Sequence, residues 1–275
     1  MYGGFITPPN DDRAQFGVMF WHKDGFSTAC GHGTIALGYW AIAQGLVQAP
    51  ENDSVDIVID VPSGRVTARA ACEGGKVKHM DFVNVTSFQV AESLPATIAL
   101  DGQKIPVKVD LAFNGAVLAC VDVADFRLQV EPRNCQVFID IQRQIKHQYA
   151  EFSYTDRYDI AGVCFFENVS DSDERITQKN VVVLADGLID RSPCGSGTAA
   201  RVAVLLAQGR LNTSKTLRHY SILGTVFDAG ISSLATSPVD YPACVPWVRG
   251  TARLVGKMNF YIDPNDPIYP GFLLR

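Results

Sequence analysis

One passage of this chain occurs twice, and the repeat limits the possible folds more than any other feature. From Cys30 the sequence runs Cys-Gly-His-Gly-Thr-Ile-Ala and closes on Ala43-Gln44-Gly45. From Cys194 it runs Cys-Gly-Ser-Gly-Thr-Ala-Ala and closes on Ala207-Gln208-Gly209. The copies align without a gap. Cys30/Cys194, Gly31/Gly195, Gly33/Gly197, Thr34/Thr198, Ala36/Ala200 and the three closing residues are identical pairs. A duplicated cysteine–turn–helix unit predicts two half-structures related by a pseudo-twofold axis, with one thiol on each side of the cleft between them. Two like thiols facing one point suit a two-base proton transfer at a single carbon.

The repeat helices, expected over Thr34–Gln44 and Thr198–Gln208, are apolar almost all round, and the second carries a single charge, Arg201. A helix without a polar face belongs inside a core. Gly45 and Gly209 suit its C-terminal cap. Around these helices the chain reads mainly as strands rich in Val, Ile and Phe: Phe16–Phe20, Val55–Asp60, Arg65–Ala70, Lys76–Val85, Ile105–Phe113, Ala116–Val123, Ile160–Phe166 and Asn180–Leu184. Further strands are expected between Ser221 and Tyr261. Pro62-Ser63-Gly64 and Glu73-Gly74-Gly75 punctuate the strands as turns, and Gln136–Tyr149 has the apolar spacing of an amphipathic helix. The expected architecture is α+β: a curved, mostly antiparallel sheet around one buried helix, built twice.

Composition narrows the class of partner. A net charge of −5 disfavours nucleic acid and anionic membrane surfaces. No apolar run is long enough to span a bilayer, and no basic-then-apolar leader is apparent. The seven cysteines (30, 72, 120, 135, 164, 194, 244) are odd in number and lack Cys-x-x-Cys spacing. That pattern disfavours a disulfide framework or a structural zinc and fits a reducing, cytoplasmic setting. Apart from Cys30 and Cys194, the cysteines are expected to be core or surface residues without function.

In both copies the cysteine precedes a Gly-x-Gly turn that opens a helix. Free N–H groups and the helix dipole favour negative charge there. Such a position is expected to lower a thiol pKa from its free value of about 8.5. The N–H groups around Gly31-His32 and Gly195-Ser196 would also cradle a small anion such as a carboxylate. His32 is either a turn histidine or a substrate contact. Asp190 either caps the turn before Cys194 or holds an ammonium group beside it.

Asp190-Arg191-Ser192-Pro193-Cys194-Gly195-Ser196-Gly197-Thr198 resembles the second signature of the proline racemase family, and Ala29-Cys30-Gly31-His32-Gly33-Thr34 resembles the first. The likeness extends to Met1-Tyr2-Gly3-Gly4, Ser221-Ile222-Leu223-Gly224-Thr225, and Asp263-Pro264 through Gly271-Phe272. It implies a diaminopimelate-epimerase-like fold, no cofactor, no metal, a small imino acid as partner and a possible homodimer. By the same resemblance Cys30 and Cys194 are the acid/base thiols, Gly31, His32, Gly195 and Ser196 contact the carboxylate, and Asp190 contacts the amino group. The first half-domain would comprise residues 1–88 plus 250–275 and the second residues 89–249, with the site between them. The implied activity is racemisation or epimerisation of proline or hydroxyproline. The alternatives are a trans-3-hydroxy-L-proline dehydratase or a shortened, inactive paralogue that only binds ligand. The dehydratase branch usually has Thr where this chain has Cys194, yet Asp24-Gly25-Phe26-Ser27 is dehydratase-like. Leu184 stands where proline racemases tend to place an aromatic, and Asn114-Gly115-Ala116-Val117 replaces a run richer in glycine and aromatics. Family members also carry a segment upstream of Tyr2-Gly3.

Overall fold

A computed structural model describes residues 2–22, 25–184 and 187–268. Met1, Asp24 and Gly271-Phe272, which carry part of the resemblance, lie outside the described residues. The first third of the chain forms β1 (Gly3–Thr7), β2 (Phe16–His22), β3 (Gly25–Ser27), α1 (Gly31–Ala43), β4 (Ser54–Val61), β5 (Gly64–Glu73) and β6 (Lys76–Val83). The middle forms β7 (Ser87–Leu100), β8 (Gln103–Phe113), β9 (Val117–Asp122), α2 (Cys135–Gln148), β10 (Ile160–Asp171) and β11 (Arg175–Leu184). The last part forms α3 (Gly195–Ala207), β12 (Thr216–Ser221), β13 (Val226–Ala235) and β14 (Ala243–Gly250). Among the described residues no helix is long and apolar enough to cross a membrane.

Local chemistry explains the tight connections. Gly74 and Gly75 both adopt positive φ (56° and 68°), as a two-residue hairpin between β5 and β6 requires. Asp101-Gly102 does the same between β7 and β8, with φ of 49° and 75°. The Asp-Gly pair marks a hairpin whose first strand was not expected. Pro95 and the polar run Glu92-Ser93 hide the β pattern of β7, and two register shifts between Gln89 and Leu94 accommodate them.

The strands join in the order β1-β2-β4-β5-β6-β14-β13-β12-β11-β10-β9-β8-β7, with β3 added on β2. A further pairing, Ala243 with Phe88 and Cys244 with Ser87, joins β14 to β7. Strands β7 through β14 therefore close into a ring. Helix α3 runs inside it, and every residue from Gly197 to Leu205 is buried. The expectation of a sheet wrapped around an apolar helix holds here.

Helix α1 differs. Its buried residues are Gly31, Thr34, Ile35, Gly38 and Ala41, a single stripe at helical spacing, while Ala36 is exposed and Trp40 half-buried. An apolar sequence permits burial on every side, but burial also needs neighbours on every side. Among the described residues the sheet β4-β5-β6 covers α1 along one face. Of the stretch between Ser221 and Tyr261 where further strands were expected, β13 and β14 supply them, but residues 251–268 form neither helix nor strand, and Val255 is fully exposed.

A row of alternating charges crosses the sheet at one register: Asp56, Arg69, Asp81, Arg249, Asp228 and Arg218, each paired in the ladder with the next. Three bidentate pairs lie along it. Arg69 binds Asp56 at 2.6 and 2.8 Å, Arg249 binds Asp81 at 2.7 and 2.8 Å, and Arg218 binds Asp228 at 2.8 and 2.9 Å. The Asp81–Arg249 pair sits on the β6–β14 seam, where early and late parts of the chain meet over only four paired positions. Opposite charges directly across strands favour one register over its neighbours.

Candidate active site

The two repeats meet at their helix N-termini. A Cβ added at Gly195 would stand 2.8 Å from the Gly31 Cα and 3.0 Å from the His32 nitrogen. A Cβ on Gly31 would stand 3.0 Å from the Gly195 Cα and 2.8 Å from the Phe82 ring. Only glycine on both sides lets the backbones approach this closely.

Each cysteine is the N-cap of its helix. The Cys30 Sγ accepts the Gly33 N–H at 3.3 Å, and the Cys194 Sγ accepts the Gly197 N–H at 3.3 Å. The paired threonines support the same turns. Thr34 Oγ1 donates to the Cys30 carbonyl at 3.0 Å, and Thr198 Oγ1 to the Pro193 carbonyl at 3.2 Å. The copies differ in backbone. Cys30 is extended with φ −152°, whereas Cys194 has φ 61°. A positive φ in a residue with a side chain costs on the order of 1–3 kcal/mol and needs support from its surroundings. Asp190 and Ser192 supply it. Asp190 Oδ1 accepts the Ser192 N–H at 2.8 Å and the Ser192 hydroxyl at 2.9 Å, and Ser192 Oγ accepts the Cys194 N–H at 3.1 Å. Asp190 thus caps the turn, and its backbone N–H is tied to Val182 of β11 at 2.9 Å.

The thiols are not acidified as the helix N-termini predict. Burial pushes Cys30 up to about 12, the Gly33 N–H pulls it partly back, and the negative charge of Asp190 raises it again. Cys194 is raised well above the ordinary range by burial, by Asp190 and by the charge of Cys30. One N–H per sulfur does not offset desolvation plus a carboxylate. Cys194 itself is 7% exposed.

The structure brings Cys30, Gly31, His32, Asp190, Cys194, Gly195 and Ser196 into one locality. The half-buried His32 ring stands edge-on to Phe227 of β13 at 5.5 Å. Residues outside both signatures hold the two copies together. Asn114 Nδ2 donates to the Ser196 carbonyl at 3.1 Å, and the Asn114 carbonyl accepts from Asn84 Nδ2 at 2.8 Å. The next carbonyl, of Gly115, accepts from Thr28 Oγ1 at 2.7 Å. The β8–β9 turn therefore touches the lead-in to Cys30 and the first turn of α3. The Asn-Gly dipeptide marks a turn in the sequence, but nothing local says where that turn lands. Among the described residues no three His, Cys, Asp or Glu side chains converge as a metal ion would require.

The closed ring around α3 and the abutting helix N-termini, each carrying a thiol, make this a sheet-dominated α+β protein with a repeated cysteine–turn–helix motif. Residues 1–273 match the family model described as "Proline racemase", and the chain belongs to that family. A trans-3-hydroxy-L-proline dehydratase of Bacillus cereus is 36% identical over 284 residues, covering 100% of this chain and 81% of the relative. A 3-hydroxyproline 2-epimerase of Burkholderia multivorans is 36% identical over 285 residues, covering 100% of this chain and 82% of the relative. The crystal structure of a hydroxyproline epimerase from Agrobacterium vitis with bound trans-4-OH-L-proline superposes with a TM-score of 0.85. Its sequence is 25% identical, and the match covers 98% of this chain and 77% of that one. Racemases and epimerases are isomerases, so the family is one of enzymes.

Proposed function

We propose that this chain is a cofactor-independent racemase or epimerase acting on the α-carbon of proline or a hydroxyproline, with Cys30 and Cys194 as the two proton carriers. The observation that carries this reading is the pair of cysteine N-caps at the helix N-termini joined through Gly31 and Gly195. The substrate carboxylate would lie on the N–H groups of Gly31, His32, Gly195 and Ser196, with its ammonium near Asp190 or His32. One thiolate removes the α-proton and the opposite thiol delivers its proton to the other face. The carbanion charge spreads into the carboxylate, where preorganised N–H donors stabilise it. A cation placed beside Asp190 would also cancel the charge that now opposes ionisation of both thiols. The site would lie between a half-domain of residues 1–88 plus 250–275 and one of residues 89–249. The seven free cysteines fit a reducing, cytoplasmic setting.

Dehydration of trans-3-hydroxy-L-proline is the second reading, favoured by the Bacillus cereus relative. There Cys30 alone would abstract the α-proton and the 3-hydroxyl would leave as water. Proton NMR in deuterated buffer decides between the two, with L-proline, trans-4-hydroxy-L-proline and trans-3-hydroxy-L-proline each offered under reducing conditions. Loss of the α-proton signal with a new epimer is expected for the first reading, and an unsaturated product for the second. In the first case Cys30→Ser and Cys194→Ser should each lower the rate by at least roughly 10²–10⁴-fold. Full activity in Cys194→Ser would end the two-base scheme.

A further inference from the structure

The two copies of the repeat use the same threonine differently. In the first, Thr34 Oγ1 donates to the Cys30 carbonyl four residues back, an ordinary bond inside a helix. In the second, Thr198 Oγ1 donates to the Pro193 carbonyl, five residues back and just before Cys194. A further partner accompanies the change. Nδ1 of His219, on β12, lies 3.0 Å from Thr198 Oγ1, and both residues are fully buried.

Counting protons fixes the state of the imidazole. A hydroxyl has one proton to donate, and a carbonyl can only accept. With the Thr198 proton on the Pro193 carbonyl, the contact with His219 is a bond from Nδ1–H into the threonine oxygen. The other ring nitrogen points the same way. Nε2 is buried without a hydrogen-bond partner. The Arg201 charge reaches the ring, from a position one turn beyond Thr198 on the same face of α3. A proton on Nε2 would be a buried, unpaired donor in a positive field; a lone pair there is held by that field.

The chain of bonds ends on the strained residue of the site. The Pro193 carbonyl and the Cys194 N–H belong to one planar peptide unit. Ser192 Oγ holds its N–H end at 3.1 Å, and Thr198 holds its carbonyl end at 3.2 Å. A unit gripped at both ends cannot rotate without losing a bond, and its rotation is what would release the positive φ of Cys194.

We propose that His219 is a positioning residue for the second thiol. Fixed as the Nδ1–H tautomer, it donates to Thr198, which donates to the Pro193 carbonyl and keeps Cys194 at φ 61° beside the first motif. Asp190 and Ser192 support one end of the peptide unit, and His219 and Thr198 support the other. The effect on catalysis rests on the proposed use of Cys194 as a proton carrier; the tautomer and the clamp do not.

Long-range proton–nitrogen NMR of the unsubstituted chain should show His219 protonated at Nδ1 and bare at Nε2. This measurement needs no variant, so a folding defect cannot remove it, and the opposite tautomer would overturn the proposal. His219→Leu removes the donor, whereas His219→Asn carries an amide N–H to about the place of Nδ1–H. In α-proton exchange, His219→Leu should lower kcat by about 10²-fold with KM nearly unchanged, and His219→Asn should recover most of the loss. A loss of packing alone would not be repaired by the smaller, polar asparagine. Unsubstituted kcat in a folded His219→Leu would overturn the proposal. Should the unsubstituted chain exchange no α-proton, the proposed reaction fails and the clamp is judged on the Cys194 amide. Its hydrogen exchange should quicken in His219→Leu and not in His219→Asn, and equal protection in both would overturn the inference.

Discussion

The Cα atoms of Gly31 and Gly195 pack so closely that a methyl group on either would come within 3.0 Å of the other. This contact joins the two copies of the repeat and fixes the separation of the cysteines beside them. Gly195→Ala is therefore expected to destabilise the fold by about 1–3 kcal/mol through overpacking. Because it also displaces one helix N-terminus, it should lower the rate of α-proton exchange by about 10²-fold. Urea unfolding and deuterium exchange on the same preparation measure the two effects. A variant unchanged in both would show that the helix ends can separate freely.

The raised thiols set the direction of the pH dependence. Burial and the Asp190 charge disfavour the thiolate at Cys30 and Cys194, so kcat/KM for epimerisation should climb with pH above neutrality. Asp190→Asn removes a negative charge that opposes ionisation of both thiols and should move the rising limb to lower pH. A limb that stays in place would mean that Asp190 acts on the turn alone.

His219 makes the fold sensitive to acid. It is fully buried, its Nδ1 lies 3.0 Å from Thr198 Oγ1, and burial aided by the Arg201 charge lowers it from 6.5 to about 3. Between those values the unfolded chain binds a proton that the folded chain refuses. The stabilisation is thus complete above the unfolded value and is lost as pH falls toward the folded one. Its slope approaches ~1.4 kcal/mol per pH unit. Unfolding free energies between about pH 7 and about pH 4 should fall less steeply in His219→Gln than in the unsubstituted chain. Equal slopes would assign the acid limb to other groups.

On the β6–β14 seam, Asp81 and Arg249 have side chains 15% and 42% exposed. Solvent screening limits such a pair, so a double-mutant cycle with Asp81→Asn and Arg249→Gln should give a coupling of about 0.5–1 kcal/mol. The coupling should shrink at roughly 1 M salt, where the screening length is about 3 Å. No coupling at low salt would mean that the ladder hydrogen bonds hold the seam without help from the charge row.

Much of this protein was legible before its structure. The gapless repeat located both N-caps and both helices, because a cap is a local event: a side chain, a turn and the next few N–H groups. The closing glycines were legible for the same reason, and Gly45 and Gly209 take φ of 73° and 66° just past their helices. Strand β7 was not, since Pro95 and a polar run mask a pattern that tertiary pairing overrides.

What the sequence alone determined, then, is which residues start each helix and that one cysteine–turn–helix passage occurs twice. Tertiary structure decided the rest. It enclosed α3 in a closed ring but covered α1 along one face, although both helices are apolar, because burial depends on neighbours and not on composition. It also raised the two thiols that the local helix ends should have lowered. The helix N-terminus acts through the next turn, whereas burial comes from the whole fold, and folding also carries the Asp190 charge, local to Cys194, up to Cys30.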